Sequence, residues 1–145
     1  MKKKFKASMI VLLVITIMPS VLAATQGYVS SLKISSHSNL QGASRKYSYN
    51  NHKITINNPK LDEGDEFSKL VIAIYQDGLF SNKQYSRRVA SIYNGESVTA
   101  VMGAAGSGKR FYCFGTYENA LKDANTHGAY YSGVTSDNVS MISYN

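Results

Sequence analysis

The chain has 145 residues with a single cysteine and no tryptophan, a length that suits one domain and a cysteine count that excludes any internal disulfide. Its formal net charge of +7 is inflated by Lys2, Lys3, Lys4 and Lys6 at the amino end; the rest is only mildly basic and has no long run of cations, which argues against nucleic acid as a partner. A domain of this size buries roughly two-thirds of its unfolded surface, so a hydrophobic core can hold it without cross-links.

The amino end reads as a removable export signal. Four lysines precede an almost wholly apolar run from Met9 to Met18, and Pro19, Ser20, Val21, Leu22, Ala23 and Ala24 supply small residues around a cleavage point. The apolar run is well short of the ~20 residues a spanning helix needs, so no stable membrane insertion is expected after cleavage. Residues 1–23 are thus expected to be a signal peptide and residues 24–145 a single secreted domain, acting outside the cell. The disulfide-free composition, rich in Asn, Ser, Lys, Ile and Tyr, suggests a bacterial exported protein.

Turn residues punctuate the mature sequence, and the stretches between them favour β-branched and aromatic residues, the pattern of a sandwich or barrel. In 28–34, Tyr28, Leu32 and Ile34 share one face and Val29 and Lys33 the other, as in a half-buried strand. Stretches 45–49 and 53–56 flank Asn50, Asn51 and His52, and asparagine tolerates the left-handed backbone of a tight turn, so the two are expected to pair as a hairpin. Pro59 and the acidic cluster Asp62, Glu63, Asp65 and Glu66 mark 57–66 as a solvated loop. Within 67–76, Leu70 to Tyr75 are apolar on both faces, as in a central strand. Stretch 85–93 has no cleanly apolar face and suits a sheet edge. Asn94 and Gly95 then turn the chain into 97–102, and 109–117 and 138–144 complete about eight strands. Only 117–124 could be helical, for two turns at most, because Asn119 and Asp123 dilute its propensity. The expected fold is all-β, an antiparallel β-sandwich with room for that one short helix before the last strand.

Candidate chemistry is thin. The stretch Gly103, Ala104, Ala105, Gly106, Ser107, Gly108, Lys109 begins like a phosphate-binding loop, but Arg110 stands where Ser or Thr would hold magnesium, and a strand-like run follows instead of a helix. It is expected to be a glycine-rich connection between strands. His37, His52 and His127 are dispersed, without a partner at metal-ligand spacing. Cys113, between Tyr112 and Phe114, reads as an inert buried thiol and not a nucleophile. The acidic cluster lacks the spacing of a calcium loop. No catalytic, metal or cofactor site is assigned.

The least neutral feature is the aromatic inventory of 11 tyrosines. A tyrosine ring joins an apolar body to a polar tip, so several exposed together make an adhesive surface for sugars or peptides. Tyr112, Tyr117, Tyr130 and Tyr131, with Arg87 and Arg88, are the candidate binding residues. The leading expectation is a non-enzymatic binding domain at the cell envelope or in the medium, with a cell-surface glycan, peptide or protein as partner. Its rivals are a small secreted antibacterial, bacteriocin-like or toxin-like factor, and an exported hydrolase whose site no linear motif reveals.

Overall fold

The computed structural model describes residues 24–78, 81–122 and 128–145. The expected signal peptide and His127 lie outside them. Among the described residues the chain forms β1 (Thr25–Ile34), β2 (Asn39–Gln41), β3 (Arg45–Tyr47), β4 (Asn51–Asn57), β5 (Lys60–Leu61), β6 (Phe67–Gln76), β7 (Lys83–Tyr93), β8 (Val98–Ala104), β9 (Gly108–Gly115) and β10 (Val134–Tyr144), and no helix. One sheet has the order β1-β10-β4-β8, with β5 also on β10; the other has the order β2-β9-β6-β7, with β3 also on β9. Every pairing is antiparallel.

The two sheets close over one core: in the β4 sheet the central strands follow the period-two rule, while β6 and β9 of the other sheet are buried over consecutive residues. In β4, His52, Ile54 and Ile56 are buried while Asn51, Lys53, Thr55 and Asn57 are partly exposed. Thr55 lies opposite Thr99 of β8, and their hydroxyls meet at 2.8 Å on the outer face. The inner faces of both sheets supply Leu32, Ile54, Ile56, Leu70, Ile72, Ile74, Met102, Phe114 and Val139 to a single apolar cluster. Strand β6 is also buried on its other side, where Val71 and Ala73 are fully covered. It is the central strand its sequence predicts, held between β7 and β9. Strand β7 pairs only with β6, and its core-side row includes Arg88, opposite Ile72. Arg88 is exposed, and a charge on an edge strand discourages a further strand from adding there.

Three local expectations fail. Residues 57–66 are not loop throughout, because Lys60 and Leu61 form β5 against Thr135 and Val134 of β10. Stretches 45–49 and 53–56 do not form a hairpin, because β3 pairs with β9 while β4 pairs with β10 and β8. Their turn carries the chain between sheets, and Tyr47 and His52 meet across the interior, with ring centroids 4.9 Å apart. Residues 117–122 form successive turns instead of a helix. The Ala120 and Lys122 amides bond three residues back, to the carbonyls of Tyr117 and Asn119, and Leu121 has a left-handed φ of 64°. The carbonyls a helix would use are engaged elsewhere: Arg87 donates to those of Glu118 at 2.9 Å and Ala120 at 3.4 Å, and the Tyr75 hydroxyl to that of Leu121 at 3.5 Å.

Candidate aromatic groove

The segment after β9 lies as a strap across the outer face of the β6 sheet. Tyr117 and Ala120 bury themselves against Val71, with Leu121 and Tyr131 packed beside them. Gly115 permits this approach, since a Cβ there would collide with that of Ala120. The strap covers the middle of the face and leaves one end open. There the outward row of β6 and β7 places Phe67 opposite Tyr93, Lys69 opposite Ser91 and Val71 opposite Val89. Phe67 is 47% exposed, Tyr93 51% and Val89 46%, and the Phe67 and Tyr93 rings lie 5.0 Å apart.

Facing this row is the returning arm of the strap. Tyr130, 51% exposed, stacks on the His37 ring at 3.8 Å and a 32° tilt. Between the two aromatic banks runs a groove of about 270 Å³, with Asp65, Phe67 and Lys69 on one side and Tyr130, Tyr131 and Ser132 on the other. Its backbone is pinned from several directions. The Tyr131 amide donates to the Thr116 carbonyl at 2.9 Å, and its carbonyl accepts the Ser36 hydroxyl at 2.8 Å. The Ser132 amide donates to the buried Ser68 hydroxyl at 2.8 Å, and the Gly133 amide to the Asp62 carboxylate at 2.8 Å. With the backbone of this bank fixed, only side-chain freedom is left to lose on binding.

The six residues singled out from sequence separate into distinct places. Tyr130 and Tyr131 line the groove. Burial, followed by the Glu118 carboxylate, pushes the Tyr131 phenol up, with Arg87 pulling the other way. Tyr117 and Arg87 support the groove from behind: the Tyr117 hydroxyl accepts from Asn39 Nδ2 at 3.2 Å, and Arg87 grips the strap carbonyls. Tyr112 is a correction, being interior and 1% exposed, and burial drives its phenol far up. Arg88 is exposed but lies away from the groove: neighbours on a strand point to opposite faces, so it sits on the other face of β7 from Arg87 and donates to the Arg87 carbonyl at 3.0 Å. Phe67, Tyr93, Lys69 and His37 were not singled out. Their signal was present in stretch 85–93, where Val89 and Tyr93 share a face with Arg87, but only the pairing with β6 turns it into a surface.

Other candidates resolve as structure. Cys113 is buried and free, and burial pushes its thiol up to about 11, so it stays protonated and unreactive at neutral pH. The glycine-rich connection is closed by its own arginine: Arg110, itself buried, donates from Nε to the Ala105 carbonyl at 2.6 Å. A Cβ on Gly106 would meet that guanidinium at 2.8 Å, and the loop has no room for a phosphate there. Among the described residues no three His, Cys, Asp or Glu side chains gather closely enough to hold a metal ion, and no helix is long and apolar enough to cross a membrane. No protein-family model matches the chain, and no curated protein matches it in sequence.

Proposed function

We propose that the protein is a secreted, non-enzymatic binding domain that holds a polysaccharide chain of a cell surface in the groove between Phe67 and Tyr130. The observation that carries this reading is the set of three rings, Phe67, Tyr93 and Tyr130, each about half exposed on one end of one sheet. Leaving that much apolar area in water costs about 25 cal/mol per Å², and contiguous exposed apolar patches mark interaction sites. Sugar rings present C–H faces that suit aromatic surfaces, while Asp65, Lys69 and Ser132 at the rim suit hydroxyl groups. The export signal read in residues 1–24 supports action outside the cell.

Cosedimentation with purified cell-wall polysaccharide tests it. Tyr93→Ala and Tyr130→Ala should each weaken retention by about 5- to 30-fold, a loss of about 1–2 kcal/mol that reaches the lower edge of a binding hot spot. Stability should fall by no more than about 1.5 kcal/mol, the worth of the ring contact each variant loses, so the domain stays folded. Undiminished retention of the double variant, or retention only by wall protein or peptide, overturns the proposal.

A further inference from the structure

A second site lies on the opposite edge of the sandwich, where β1 of one sheet faces β2 and β3 of the other. A cavity of about 50 Å³ opens there between the sheets, walled by Leu32, Val139 and Met141 from one sheet and by Leu40 and Phe114 from the other. Strand β1 has an irregular register between Ser30 and Leu32, and both Ser30 and Ser31 border the opening. The inner walls of this space are apolar and admit apolar groups; a cavity of about 150 Å³ takes the six carbons of benzene, so about a third of that takes about two carbons, such as the paired methyls that end a branched chain.

The mouth also carries a cation. Arg45 lines the cavity, half-buried, with its guanidinium carbon 5.0 Å above the Tyr28 ring. Among the described residues no carboxylate pairs with it, whereas Arg87 and Arg110 both spend their guanidinium groups on backbone carbonyls. A planar guanidinium offers two parallel N–H donors matched to a carboxylate. One guanidinium balances one negative charge, which fits a carboxylate better than a doubly charged phosphate monoester.

We propose that this crevice binds a small branched alkyl carboxylate, its hydrocarbon end between Leu32, Leu40 and Val139 and its charge on Arg45. The site is separate from the aromatic groove and does not depend on its function.

Methyl-resolved NMR titration of the protein with isovalerate tests the assignment, with isovaleramide as the uncharged match. Isovalerate should produce saturable shifts at the Leu32, Leu40, Val139 and Met141 methyls, and isovaleramide should bind at least about tenfold more weakly, the value of one charge-assisted hydrogen bond. Arg45→Gln should erase that preference while leaving amide binding unchanged. Leu40→Trp, at a partly exposed position, should fill the mouth and block both ligands. Equal affinity for acid and amide, full isovalerate affinity in Arg45→Gln, or no saturable shift in the folded protein overturns the proposal. So does binding of a leucine-ended peptide in the absence of any isovalerate binding.

Discussion

His52 is fully buried, and its ring is held in one tautomer. Nε2 donates to the Gly106 carbonyl at 2.8 Å, which ties the glycine-rich connection to β4, while Nδ1 has no hydrogen-bond partner. Burial holds its pKa below the usual histidine value; the Gly106 and Tyr49 backbone oppose this and Arg110 adds to it. The unfolded chain therefore takes up the proton first, and the stability this group contributes is fully present above about pH 6.5 and is lost as pH falls toward the folded-state value. Thermal unfolding monitored from pH 7.5 to 5 should show a falling midpoint below about 6.5, and His52→Gln, whose amide can still donate to Gly106, should flatten that fall. An identical slope in the variant would assign the pH dependence to other groups. In the sequence His52 reads as a turn residue beside two asparagines; its place in the row His52, Ile54, Ile56 becomes visible only once the strand is extended by two residues. The fate of Arg110 was half legible: its identity ruled out magnesium chemistry, but nothing in the motif said that the same side chain would fill the loop.

At the scale of elements, the strap across the β6 sheet decides which part of that face is available. Its packing rests on one missing side chain, since Gly115 lies directly under Ala120, and on the Arg87 bonds to its carbonyls. Gly115→Ala should cost about 1–3 kcal/mol in chemical denaturation, as overpacking does. In a double-mutant cycle with Ala120→Gly the losses should be less than additive by about 1 kcal/mol or more. Strictly additive losses would mean that the two positions do not press on each other. The strap was misread as a short helix because residues 117–124 contain adequate helix formers, and propensity does not register that Arg87 and Tyr75, from strands of the sheet, claim the carbonyls. The same limit applies to the turns at Asn50 and Asn94. Both were recognised as turns, and Gly95 has the positive φ of 80° that such a turn needs. A turn's residues do not say whether the next strand pairs with the last or crosses to the other sheet, as β4 and β8 both do.

For the whole molecule, alternation along β1 and β4 and the two-faced apolar run of β6 made the two-sheet fold legible, because packing sheet on sheet is how such strands leave water. The groove was legible only in part. Tyr130 and Tyr131 stood out as paired tyrosines flanking the stretch Thr126, His127, Gly128, whereas Phe67 and Tyr93 become neighbours only through the β6 and β7 register. The resulting molecule has one apolar interior that opens in the crevice beside Leu40, a largely polar outer face on the β4 sheet that also exposes Val29 and Val101, and an aromatic end on the β6 sheet beside a pinned backbone. A ligand seated there, as proposed, would meet a backbone that is already ordered. The direct test is an NMR titration of the labelled protein with soluble fragments of cell-wall polysaccharide. Saturable shifts confined to Phe67, Lys69, Tyr93, Tyr130 and their neighbours are the expected result, and shifts that are absent, or that map to the outer face of the β4 sheet, would contradict it.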